Sequence, residues 1–169
     1  MPFTGLPLTW LIFWLICYGR RMEEIGGWLL FYYIQLYMSI VLTLLLLPLT
    51  FENFEPSQWG GAWGQYALFL VASVPPIVVM IIQVMVSHRL RRTRDAAYLV
   101  PLRRVLWANM LFSVVKFVID IKLSPINTIL DAFGVIWAAF WLPYFYRSIR
   151  VGHVFVTKDW ARVAAMVVD

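Results

Sequence analysis

From Trp28 to Thr50 the chain carries no charged residue, and Gln35, Ser39 and Thr43 are the polar interruptions of an otherwise apolar run. Such a segment meets the requirement of roughly 20 apolar residues for a helix to cross a hydrocarbon core about 30 Å thick. Three more segments read the same way. Residues 66–87 are uncharged and include Pro75 and Pro76; residues 105–123 are charged at Lys116, Asp120 and Lys122; residues 126–146 are apolar apart from Asn127, Thr128 and Asp131. In lipid a spanning segment must satisfy its own backbone groups, and no alternation of period two marks a barrel, so helices follow. The fold class expected is all-α: a polytopic membrane protein whose four transmembrane helices, at about 28–50, 66–87, 105–123 and 126–146, form a bundle. Composition agrees, because 62% hydrophobic and 14% charged residues leave too little polar surface for a soluble domain, where about 25% is charged.

Positive charge is distributed unevenly along this pattern. All of the 14 Lys and Arg residues except Lys116 and Lys122 fall before the first span, between the second and third, or after the fourth. The loop FENFEPSQWGGAWGQ has none and carries Glu52 and Glu55. The positive-inside rule then places the arginine-bearing side in the cytoplasm, with both ends of a 20–156 membrane domain inside and 157–169 as a cytoplasmic tail. Nucleic acid is not an expected partner despite the net charge of +5, since the basic residues lie between apolar spans with no soluble scaffold to present them. The segment 1–19 is an additional apolar N-terminal piece. From Leu6 to Cys17 a helix measures about 18 Å, short for a crossing; an interfacial or re-entrant placement is favoured over a short extra span. It lacks the basic start and cleavage site of a signal peptide.

Arg89, Arg91, Arg92, Arg94, Arg103 and Arg104 cluster between the second and third spans. Arginines beside a bilayer attract anionic headgroups, each by about 1 kcal/mol, so the bilayer itself is the expected partner of this block.

Little else in the chain has the pattern of a reactive site. His88 and His153 both fall at span ends without a carboxylate or thiolate in ligand spacing, and Cys17 is the only cysteine, so neither metal nor cofactor is expected. Ser39, Ser73, Ser113 and Ser148 lack a nucleophile-elbow context. Gly60, Gly61 and Gly64 sit among Trp59 and Trp63, which suits an interfacial turn better than a phosphate loop. The charges in the last two spans are different. If the connection SPIN is a tight turn, Asp120 and Asp131 lie at similar depth, around 6 Å inside it. Lys116 is one turn deeper than Asp120 and on its face. Lys116, Asp120 and Asp131 therefore form a candidate intramembrane cluster, while Lys122 points away and snorkels.

Two motifs carry a family resemblance. IGGWLL supplies Gly26, Gly27, Trp28 and Leu29 at the start of the first span, and FWLPYFYRSIRVGHVF supplies Trp141, Pro143, Tyr144, Ser148, Arg150, Val151 and Phe155 at the end of the last. Together with the four-span layout they resemble the YdgK-like family of bacterial inner-membrane proteins, a family of unknown function. The resemblance implies a helical membrane fold and a bacterial inner membrane, and it supplies no catalytic residues. Physically, the glycine pair permits a tight turn or close approach, Trp28 and Tyr144 suit the interface, and Arg147 and Arg150 suit the headgroup layer. The expected role is noncatalytic: an accessory protein that packs against a membrane partner or against itself. The alternative is a small oligomeric transporter or channel that uses the Lys/Asp cluster.

Overall fold

The structure is a computed structural model that describes residues 5–123 and 128–166. Helix α1 (Gly5–Gly19) leads through a short turn into α2 (Gly27–Thr50). Two 3-10 turns, Phe51–Phe54 and Pro56–Trp59, connect to α3 (Trp63–Thr93), and a third, Ala96–Tyr98, to α4 (Leu99–Leu123). Then come α5 (Thr128–Arg147), a three-residue α6 (Ile149–Val151) running into a π turn at Gly152–Val156, and α7 (Trp160–Met166). No strand occurs among the described residues. The connection at 124–127, on which the tight-turn expectation rests, lies outside them.

Length and composition qualify three helical segments to cross a membrane: Gly27–Phe54, Trp63–Thr93 and Thr128–Arg147, with mean hydropathies of 2.0, 2.4 and 1.4. The sequence by itself suggests a fourth, at 105–123. Helix α4 is long enough at 25 residues, but Arg103, Arg104, Lys116, Asp120 and Lys122 leave it without a long stretch poor in charge. Helix α1, with 15 residues, is about 22 Å long and falls short of the bilayer core.

Local signals explain the breaks. The chain leaves α3 through Arg94 in the left-handed region (φ 52°), whose N–H caps the Leu90 carbonyl. Asp95 then accepts from the N–H of Ala97 at 2.9 Å and opens the next turn. Within α3 the helix continues through Pro75 and Pro76. Because neither proline has an N–H, the Ala72 carbonyl loses both its i+4 and its i+3 donor.

The helices alternate in direction, so the start of α2, the end of α3, the start of α4 and the end of α5 meet at one arginine-rich end. The core sits there. Leu29, Leu90, Leu102 and Phe145 are fully buried, joined by Tyr32, Tyr33, Leu99, Leu106, Trp141 and Phe155. Helix α4 packs extensively against both α3 and α5. Helix α2 is held differently, through rings: Tyr32 lies 4.7 Å from Phe145 and 5.0 Å from Trp141, centroid to centroid. Interlocked aromatics bind the two helices while keeping their backbones apart.

Candidate functional site

Each of the four long helices presents small or polar residues at helical spacing. In α2 these are Tyr32, Gln35, Ser39 and Thr43; in α3, Ser73, Pro76, Met80, Gln83 and Ser87; in α4, Asn109, Ser113, Lys116 and Asp120; in α5, Asp131, Gly134 and Ala138. Steps of three and four keep each set on one face. All of these except Ser87, Asp120 and Asp131 line two adjoining cavities. One, of about 290 Å³, is lined by Gln35, Ser39, Gln83, Asn109, Ser113 and Trp141 among others. The other, of about 300 Å³, runs past Ala72, Ser73 and Lys116 to Thr50, Asn53 and Phe54. Thr43, Pro76 and Ile77 line both, which makes them one cleft. It extends from the Phe51–Phe54 turn into the middle of the bundle, past the Ala72–Pro76 turn with its freed carbonyl.

The inner end of the cleft is a closed hydrogen-bond network. Gln83 Nε2 donates to the Tyr32 hydroxyl at 3.1 Å, and that hydroxyl and the Ser87 hydroxyl are 2.8 Å apart. All three residues are buried, so satisfying them is a condition of folding. Beyond them the fully buried Leu29, Leu90 and Phe145 seal the arginine-rich end. Trp141 Nε1 donates to Gln35 Oε1 at 2.9 Å and ties α5 to α2 across the cleft wall.

Lys116 is the cation at the cleft. Its Nζ donates to Asp131 Oδ1 on α5 at 2.7 Å and pairs with Asp120 one turn along α4. Both carboxylates are largely buried, with side-chain exposures of 13% for Asp120 and 12% for Asp131, whereas Lys116 keeps 35%. One ammonium thus faces two carboxylates. Lys122 is exposed and makes no contact with them.

The two sequence motifs meet in space. Arg150 reaches back to the turn between α1 and α2, where its guanidinium donates to the carbonyl of Glu23 at 2.9 Å and to that of Arg21. It also lies over the Trp160 ring, 4.0 Å from the centroid. Arg150 is therefore a clamp between the two motifs, because unpaired carbonyls in that turn offer it charge-assisted bonds. The glycines fit the same device. A Cβ on Gly26 would stand 1.8 Å from the Arg20 carbonyl oxygen, and Gly27 has φ +55° directly beside Arg150. Leu29, Trp141, Val151 and Phe155 are core residues and Trp28 is 45% exposed. Pro143 lies inside α5. The Ser148 hydroxyl accepts from the Val151 N–H at 3.4 Å and caps α6.

Of the arginine block, Arg89, Arg91, Arg92 and Arg104 project outward, the first three from the last turns of α3. Arg94 pairs with Glu24. Arg103 is taken up by the fold: Nε and Nη2 donate to the Phe145 carbonyl at 3.0 and 2.9 Å, satisfying an orphan group in the last turn of α5. The two histidines lie apart, His88 against the Tyr37 hydroxyl and His153 within 2.6 Å of Asp159. Hydrogen bonds from Thr157 and His153 hold the Asp159 carboxyl below the usual carboxylate range. Among the described residues no three His, Cys, Asp or Glu side chains converge as metal ligands.

Residues 22–156 match the family described as Protein of unknown function (DUF2569). The chain belongs to this family. The matched range begins at the turn that Arg150 clamps and ends one residue past Phe155, so it contains both motifs and the whole cleft, and leaves out α1 and α7. No curated protein and no solved structure matches the chain.

Proposed function

We propose that this DUF2569 protein is a four-span protein of the bacterial inner membrane, close to the YdgK-like members it resembles, that admits a small cationic solute to an outward-facing cleft. The observation that carries the reading is the cleft itself: small and polar residues on four helices line a space that reaches one end of the bundle and is sealed at the other. A fourth crossing by α4 is supported by its packing between α3 and α5 and by the pairing of Lys116 and Asp120 with Asp131, which removes the main cost of charges in lipid. The orientation rests on the arginine distribution, which puts the sealed end inside and the Phe51–Trp59 turns outside. Preference for a cation is a matter of net charge: Lys116 lines the cleft, and Asp120 and Asp131, paired with it behind the lining, leave the cluster one negative charge when both are ionised, while the Ala72 carbonyl and the Thr43 and Thr50 hydroxyls add acceptors.

Accessibility tests this directly. In a Cys17→Ser background, Thr43→Cys and Ser113→Cys should react with a membrane-impermeant maleimide from the outer face, and Ser87→Cys from neither face. If none of the cleft positions reacts from outside, the cleft is dry and the solute-binding reading fails.

A second reading, an accessory protein that packs against a partner, is supported by the outer half of α2. Leu44, Leu45 and Leu49 there are 58%, 68% and 78% exposed, and only 6% of that helix's most apolar stretch is buried. Mild-detergent affinity purification that yields a homogeneous, partner-free species would remove its support.

A further inference from the structure

We propose a second site, independent of the cleft, that holds one anionic phospholipid of the leaflet on the arginine-rich side. It is a hollow of about 570 Å³ between α1, the start of α2 and the end of α5. Trp14, Tyr18, Trp28, Phe31 and Tyr144 supply its walls, with Trp14 and Tyr18 stacked at 5.3 Å. Arg21 and Arg147 stand on the lining, both exposed.

The charge around this hollow is unbalanced for a simple reason. The nearby acids are already engaged: Glu23 lies beside Arg20 at 3.7 Å, and Glu24 pairs with Arg94. Arg150 spends its guanidinium on the carbonyls of Arg21 and Glu23 and on Trp160. Arg21 stacks on Tyr18, 4.3 Å from its centroid, and neither Arg21 nor Arg147 has a carboxylate partner among the described residues. Two guanidiniums therefore face an aromatic-walled hollow with no anion to meet them.

Ligand chemistry follows from that combination. A small hydrated anion leaves the aromatic wall uncovered, and a neutral apolar molecule leaves two cations unpaired. A phospholipid supplies both parts, a phosphate for the bidentate guanidiniums and acyl chains for the rings. The location agrees, since the hollow lies where Trp28 begins the first span and where the arginine-rich turns mark the membrane surface. The exposed arginines of α3 differ in kind. Arg89 and Arg92 are exposed at a helix end and line none of the three cavities described, so they attract headgroups without selecting one.

The experiment is lipid retention by the full chain, purified in mild detergent, incubated with phosphatidylglycerol or phosphatidylcholine and read by native mass spectrometry. One phosphatidylglycerol should stay bound and phosphatidylcholine should not. Arg21→Ala with Arg147→Ala should weaken retention about 30-fold, the effect of two headgroup-facing arginines. Arg89→Ala with Arg92→Ala, which removes the same charge elsewhere, should leave it unchanged, and Arg21→Lys with Arg147→Lys should preserve most of it. Arg147→Ala alone, at an exposed position, should cost about fivefold and serves if the double variant does not fold. Equal losses in the two double-alanine variants, or equal retention of phosphatidylcholine, would overturn the proposal.

Discussion

At the arginine-rich end Leu29, Leu90, Leu102 and Phe145 have no exposed surface, whereas towards the other end Leu45, Leu49, Ile129 and Ile136 are 68%, 78%, 71% and 64% exposed. The same helices make both ends. What differs is the size of the side chains turned inward. Tyr32, Trp141 and Phe145 fill the space between α2 and α5 at one end and set the distance between those helices. Towards the other end the inward residues include Ser39, Thr43, Ser113, Gly134 and Ala138, too small to span that distance, and a cleft remains between them and the larger Met80, Trp137 and Phe69 on its walls. Between helices in lipid, packing and hydrogen bonds supply the attraction, because lipid is as apolar as leucine. The closed end thus carries the stability and the open end carries the polar surface.

The largest expected effect lies in the turn that fastens the closed end. Gly26→Ala forces a Cβ onto the Arg20 carbonyl and should cost about 4 kcal/mol or more, seen as loss of the monodisperse peak in size-exclusion chromatography of the detergent-extracted protein. Next is a matched pair of truncations. Phe145→Ala should lower stability by about 3 kcal/mol, while Phe133→Ala, 65% exposed, should stay within about 0.5 kcal/mol; equal melting shifts would break the contrast between the ends.

At the cleft, Lys116→Ala leaves Asp120 and Asp131 facing each other and should cost about 2 kcal/mol, less than for a fully buried pair because Lys116 is partly exposed. Asp131→Ala added to it should cost less than the sum of the two single changes, and strict additivity of melting shifts would deny the pairing. Tyr32→Phe removes the hydroxyl shared by Gln83 and Ser87 and should cost about 1 kcal/mol, with Ser87→Cys becoming reactive from the cleft side if that network is the seal.

The smallest effect concerns the tail. The Asp159 carboxyl is held below its ordinary value in the folded chain, so its contacts with Thr157 and His153 contribute fully above the unfolded value near 4. They are lost as pH falls through the lower folded value. Amide protection factors in α7, corrected for the intrinsic exchange rate, should therefore fall below about pH 4 in the wild type, and Asp159→Asn should remove that dependence while leaving the cleft residues unaffected.

Much of this architecture is local and hence written in order along the chain. Lipid requires each crossing segment to satisfy its own backbone, so uncharged runs such as 28–50 and 66–87 read directly as helices. Four residues make about one turn, which puts Lys116 and Asp120 on one face from spacing alone. The glycine pair and Arg150 were legible as two separate motifs. Their meeting was not, because the clamp joins positions more than a hundred residues apart through carbonyl groups that have no sequence signature. The same holds for the cleft. Ser39, Gln83, Ser113 and Gly134 are unremarkable in their own helices, and only tertiary packing decides that they face one another while rings elsewhere hold the helices apart. Sequence determined which segments are helical and apolar; the structure alone decided where the space between them is left open, since a cavity belongs to no single segment.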